Sequence, residues 1–362
     1  MIGHRLSRAV RTAAAVLSAV LVFGGLAGCQ RSDAPELATN AFQGATMGTT
    51  FTVKVVTSEP LESLESAELE AAVADELAEV NARMSTYLDD SELSRFNRHA
   101  STEPFELSIP TLEVMAKAIE VSRLSGGAFD VTVGPLVNAW GFGPEVVAGQ
   151  HPGDEELARL LEEIGWEKLE LDFESATARK LHPGLYVDLS AIAKGYGVDR
   201  VAETLLERGY SNFMVEVGGE VRTHGLAASG EPWRIGIERP QLQRGVTQRV
   251  VELRDAAVAT SGDYRNYREE NERRISHIID PRTGYPVAHR LSSVSVLSEK
   301  CLHADALATA ILVLGPEEGW ELAEREEIAA VLLVRTGKRD FEERQTPAFE
   351  RFLAEVEGET PK

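Results

Sequence analysis

Hydrophobic and polar positions alternate early in this chain. Phe51, Val53 and Val55 alternate with Thr52 and Lys54, the period-two signature of a half-buried strand, in a pattern that opens at Phe42. Over Leu61–Arg83 the period changes, and Leu64, Leu69, Val73, Leu77 and Val80 recur near helical spacing with acids on the other faces. A second helix is expected from about Thr111, after Pro110, to Ser125, where Gly126-Gly127 stops it. Asp154 is read as the cap of a third, ending near Gly165. Strands are expected at Lys168–Leu171 and Leu185–Leu189, and a helix over Ser190–Arg208. Further strands are read at Phe213–Val217, Val221–Leu226, Trp233–Ile237, Val246–Leu253, Ser292–Leu297 and Ile328–Val334. Helical patterns fill His303–Leu314 and Pro316–Glu326. The charged, Pro-containing stretch Thr336–Lys362 either finishes the fold or extends from it. No fixed-period repeat or Gly/Pro/Ser-rich internal linker interrupts the pattern. Without a regular βαβ rhythm, the fold class is α+β: a single large mixed domain, strands largely antiparallel, with packed helices.

The first 28 residues follow another pattern. Arg5, Arg8 and Arg11 precede an apolar run from Thr12 to Leu26, too short for the ~20 residues of a membrane span. The run ends in Leu26-Ala27-Gly28-Cys29, which resembles a bacterial lipobox; the alternative is a plain signal peptide or anchor helix with an incidental cysteine. On the lipobox reading, residues 1–28 are a lipoprotein signal peptide and Cys29 carries the acyl chains, several of which anchor firmly. Residues 29–41 form a polar tether and residues 42–362 the folded domain. The protein then sits on the periplasmic side of a bacterial membrane. Gln30 after the cysteine favours the outer membrane. Cys301 is left as a lone thiol, expected to be buried and inert.

Charge narrows the partners. Against 37 Lys+Arg stand 58 Asp+Glu, a net −21; removing the signal's three arginines takes it to −24. Such a surface repels nucleic acid, so none is expected as a partner. A phosphate-bearing small molecule remains admissible where a metal or local Lys offsets the repulsion. No G-x-G-x-x-G after a strand, P-loop, H-E-x-x-H, zinc-spaced cysteine pair or G-x-S-x-G elbow is present.

Three segments carry candidate chemistry. Asp305 and Thr309 are four apart near a helix start, so both oxygens project from one face of an otherwise apolar segment. They suit a hard cation such as Mg²⁺; equally, Asp305 caps the helix and Thr309 bonds back to the preceding turn. In Val187-Asp188-Leu189-Ser190-Ala191-Ile192-Ala193-Lys194-Gly195 a strand gives way to a helix, whose free N–H groups and Lys194 suit a phosphate. The alternative makes Asp188 and Ser190 caps and leaves Lys194 solvated. Ala259–Arg265, with Ser276–Gly284 downstream, places His277 and Arg282 near a turn, as acid/base and anion groups or as ordinary surface charges.

Together with Thr46-Met47-Gly48-Thr49, Met84-Ser85-Thr86-Tyr87, Gly127-Ala128-Phe129-Asp130, Trp140-Gly141-Phe142-Gly143 and Glu216-Val217-Gly218-Gly219, these segments resemble the ApbE-type FAD:protein FMN transferases. The blocks fall in the family's order over about Phe42 to Val334. The resemblance implies Mg²⁺-dependent cleavage of the FAD pyrophosphate, transfer of FMN to a Thr or Ser hydroxyl of an acceptor protein, and release of AMP. The acceptor it implies is a subunit of a membrane redox complex. Carried over by position, Met47, Tyr87, Ala128, Phe129, Asp130, Asp188, Lys194 and Ile279 hold FAD, while the Ala191 carbonyl, Asp305 and Thr309 hold Mg²⁺. His277 is the first candidate to handle the proton of the incoming hydroxyl, with Asp188 the other. Two further readings stay open: an FAD pyrophosphatase giving FMN and AMP, and a non-catalytic flavin-binding lipoprotein.

Overall fold

The computed structural model describes residues 37–143, 151–241, 245–264, 267–270, 273–337 and 340–357. The signal, Cys29 and residues 29–36 of the tether lie outside these. Among the described residues no helix is long and apolar enough to cross a membrane.

An eight-stranded sheet forms the centre: β1 (Ala38–Thr46), β2 (Thr49–Thr57), β3 (Phe213–Val217), β4 (Glu220–His224), β5 (Ala257–Gly262), β6 (Leu291–Ser298), β7 (Ala329–Arg335) and β8 (Phe341–Gln345). Strand order across the sheet follows chain order, and every pairing is antiparallel. Both faces are covered. In β7, Ala330, Leu332 and Val334 join one core while Ala329, Val331 and Leu333 join another, so this strand reads as a continuous apolar run. Helices α1 (Ser63–Met84), α2 (Ile109–Leu124), α3 (Ala193–Glu207) and α4 (Cys301–Arg325) contribute to the cores on one side. The hairpin Trp233–Glu238/Thr247–Leu253 and helix α5 (Pro347–Glu357) supply the other.

Several boundaries differ from the sequence reading for physical reasons. The first strand starts at Ala38, four residues before Phe42, because edge strand β1 needs burial only on alternate positions and tolerates the polar Thr39 and Asn40. Leu185–Leu189 pairs with no strand among the described residues; the Asn97 side chain holds the Val187 backbone instead. The candidate segment Ala259–Arg265 opens inside a sheet strand, Ala257–Gly262, whose small residues conceal its β character. Asp154 lies in the first turn of helix Asp154–Glu163, with Gly153 at the cap and the Tyr285 hydroxyl donating to its carboxylate at 3.2 Å. The two C-terminal helical patterns merge in α4 across a break at Gly315 (φ 86°), ahead of Pro316. The charged tail finishes the fold, since β8 and α5 come from it.

The Lys180 ammonium is buried with no counter-ion among the described residues. Lys180, 1% exposed, donates to the Asn97 carbonyl at 3.0 Å and lies 5.2 Å from the centre of the Phe96 ring. Burial draws its pKa from the ordinary 10.5 down to about 8. Between those values the unfolded chain holds a proton that the folded chain has lost, so this lysine makes stability rise with pH. Urea midpoints at pH 7 and pH 10 should show that rise in the wild type relative to Lys180→Met. An identical pH dependence in both would contradict it.

Candidate active site

The beginnings of α3 and α4 meet beside the sheet. The Gly195 N–H donates to Asp305 Oδ2 at 3.0 Å. A Cβ at position 195 would stand 2.5 Å from the Cys301 carbonyl oxygen and 2.9 Å from Asp305 Cβ, so only glycine permits this approach. One turn on, buried Asp199 accepts the Cys301 and Leu302 N–H groups at 3.0 and 2.9 Å, capping α4 from a neighbouring helix. Arg222 on β4 holds Asp199 at 2.8 Å. Cys301 itself is fully buried, and burial pushes its thiol pKa up.

The β3–β4 turn supplies the facing wall. Gly218 and Gly219, with φ of 64° and 110°, make the tight reversal that puts Glu220 at the start of β4. Glu220 is 3% exposed, Asp305 is 2% exposed, and the ammonium of Lys194 lies between them at 3.4 and 3.6 Å. Burial alone would lower the Lys194 pKa, but Asp305 and Glu220 hold it above the usual lysine range. Burial raises both carboxyls, against the pull of Lys194. Glu220 Oε2 is buried without a hydrogen-bond partner. Two buried carboxylates therefore share one ammonium.

These groups open on a cavity of about 360 Å³. Of the residues predicted for the site, Ala128, Phe129, Asp130, Asp188, Ala191, Lys194, His277, Ile279, Asp305 and Thr309 line it. Met47 and Tyr87 do not: Met47 turns the β1–β2 hairpin (φ 46°) and packs against the core, and Tyr87 is 70% exposed. The hydroxyls of Ser261 on β5 and Thr309 on α4 are 2.8 Å apart. Asp188 Oδ1 accepts from the Ser190 N–H at 2.8 Å and hydroxyl at 2.6 Å. Asp130 Oδ1 takes the N–H and hydroxyl of Thr132, and Oδ2 the Trp166 N–H at 3.0 Å, so this carboxyl braces the wall. Burial raises its pKa despite those bonds.

The donor set fits a hard cation. Among the described residues no group of three or more His, Cys, Asp or Glu side chains is arranged to hold a metal ion by itself. A carboxylate, a hydroxyl and a backbone carbonyl beside a cavity leave coordination positions for phosphate oxygens, the arrangement Mg²⁺ accepts. The unpartnered Glu220 oxygen marks where positive charge is short.

The family model described as the ApbE family matches residues 47–332. This chain belongs to the ApbE family. An FAD:protein FMN transferase of Vibrio cholerae is 47% identical over 329 residues, covering 91% of this chain and 96% of its own length. One from Escherichia coli K12 is 35% identical over 348 residues, covering 94% and 97%. The solved flavin transferase ApbE from Vibrio cholerae superposes with a TM-score of 0.78 at 45% identity, covering 87% of this chain and 99% of that one. The apo flavinyl transferase ApbE of Pseudomonas stutzeri gives 0.80 at 39%, covering 88% and 97%. Two residues of this ApbE site escaped the sequence reading. Glu220 directly follows the Gly218-Gly219 pair and opens a mostly polar strand, Glu-Val-Arg-Thr-His, so no local pattern marks it as buried. Asp199 reads as an ordinary surface acid of a helix until α4 is seen to start against it.

Gly195→Ala should separate α3 from α4 and lower stability by about 1–3 kcal/mol, the range for overpacking a tight contact. A urea midpoint equal to wild type would show that the approach is not constrained.

Proposed function

We propose that this chain transfers FMN from FAD to a Thr or Ser hydroxyl of an acceptor protein, releasing AMP, in a Mg²⁺-dependent reaction. The reading is carried by the half-buried Lys194 between the buried Asp305 and Glu220 at the cavity of a chain whose relatives bear the transferase name. Asp305, Thr309 and the Ala191 carbonyl would hold Mg²⁺, which supplies charge neutralisation at the pyrophosphate. Lys194 adds a second positive charge, and positioning with neutralisation is most of what phosphoryl transfer requires. Ala128, Phe129 and Ile279 offer apolar surface to FAD, with Met47 and Tyr87 assigned to it by resemblance.

The acceptor oxygen forms a new P–O bond to the FMN phosphorus. The pyrophosphate P–O bond breaks, and AMP leaves with the bridging oxygen. His277, at the cavity wall, takes the hydroxyl proton; Asp188 is less available because Ser190 already occupies Oδ1. No motif in the sequence supplies a strong nucleophile of its own, so attack comes from a docked hydroxyl, which gains several kcal/mol over bulk water when aligned. Lipidated at Cys29, the enzyme works on the periplasmic face of a membrane, favouring the outer membrane, on a subunit of a membrane redox complex.

AMP release from FAD should require Mg²⁺ and rise when an acceptor with an exposed Thr or Ser is added. The denatured acceptor should keep the mass of FMN, and lose it on Thr→Ala at the modified site. Equal AMP release without acceptor, and no mass gain, points to a pyrophosphatase; unchanged FAD points to a binding protein. Asp305→Ala should abolish turnover while leaving FAD binding measurable by flavin fluorescence. Wild-type turnover in that variant would refute the metal assignment. Cys29→Ser should release active enzyme from membranes; retention after a salt wash would refute the lipid anchor.

A further inference from the structure

Leu185–Leu189 has no strand partner among the described residues, yet it carries the cavity-lining Asp188 and leads into Ser190-Ala191, which also line the cavity. Its backbone is gripped by one side chain. Asn97 Nδ2 donates to the Val187 carbonyl at 2.8 Å, and Asn97 Oδ1 accepts the Val187 N–H at 2.8 Å. One amide thereby replaces both ladder bonds that a neighbouring strand would give. The following N–H, of Asp188, donates to the carbonyl of Val131, another cavity-lining residue, at 2.7 Å.

Asn97 is fixed in its turn. It lies in the last turn of helix Glu92–Arg98, where carbonyls lack helical partners, and its own carbonyl accepts the Lys180 ammonium at 3.0 Å. The Phe96 ring is the other group over that ammonium, and no carboxylate pairs with it among the described residues. A buried ammonium with no counter-ion costs stability, and an apolar side chain of similar length would relieve that cost. Lys180 is thus poorly explained by the fold alone. What it touches is the residue that holds the segment bearing Asp188.

We propose that Lys180 and Asn97 are positioning residues for the flavin nucleotide site: the ammonium anchors the end of helix 92–98, and the Asn97 amide sets Val187, and so Asp188 and Ala191, at the cavity. The inference rests on the FMN-transfer reading for the ligand, while its geometry stands apart from the reaction.

Lys180→Met and Asn97→Ala, each in the full chain, test it through three readouts: urea midpoint at pH 7, FAD affinity by flavin fluorescence, and KM and kcat for AMP release. Lys180→Met should keep or raise the midpoint while FAD Kd and KM rise together by about tenfold, the scale of a small misplacement of binding groups. Asn97→Ala should weaken FAD at least as much, at FAD concentrations where the variant is folded by circular dichroism. A stable Lys180→Met with wild-type Kd and KM would overturn the proposal, as would affinity lost only in proportion to the unfolded fraction. A wild type that binds FAD without releasing AMP would refute the transferase reading alone, since the Kd ratio still decides this one. A wild type that does not bind FAD would refute both.

Discussion

Lys194 lies within 4 Å of two buried carboxylates, and the site is built around this imbalance of charge. Removing one partner of a buried ion pair typically costs about 3–5 kcal/mol, because the remaining charge cannot return to water. The arrangement persists because three separate elements deliver it: the first turn of α3, the second turn of α4, and the β3–β4 reversal. Each delivery has its own device. Gly195 lets the helices touch, Asp199 ties the start of α4 to α3, and Gly218-Gly219 turns Glu220 inward.

That constraint explains why a strongly acidic protein suits a ligand with a negative pyrophosphate. Net charge acts over the surface and is screened within about 10 Å at ordinary salt. Inside the cavity the decisive groups are one ammonium and the oxygens that suit a cation. On the proposed Mg²⁺-dependent reading, Asp305 and Glu220 would attract the cation that accompanies the ligand. Around them, Asp130 and Asp188 spend their hydrogen-bonding capacity on Thr132, Trp166 and Ser190, so these acids shape the wall as much as they charge it.

The sequence revealed segments with strong periodicity and missed those held by side chains. α1 shows its stripe of Leu69, Val73, Leu77 and Val80, and β3 its alternation, because one face of each is buried. β5 is Ala-Val-Ala-Thr-Ser-Gly, small enough for α4 to lie on it, and small residues carry little strand signal. Leu185–Leu189 has a strand's composition but is stabilised by Asn97, ninety residues away, which no local pattern reveals. The sequence singled out Asp305 and Lys194 while leaving a cap and a solvated lysine as alternatives, and both line the cavity. Glu220 and Asp199 became visible only through the contacts of α3, α4 and β4.

The most direct test of the charge account is a melting curve with Mg²⁺ and with EDTA, in the absence of FAD. A ligand that binds the folded state raises the melting temperature by mass action. Wild-type protein should melt higher with Mg²⁺, and the increment should disappear in Asp305→Asn. No Mg²⁺-dependent shift in the wild type, or an undiminished shift in Asp305→Asn, would contradict the claim that this buried group is a cation site.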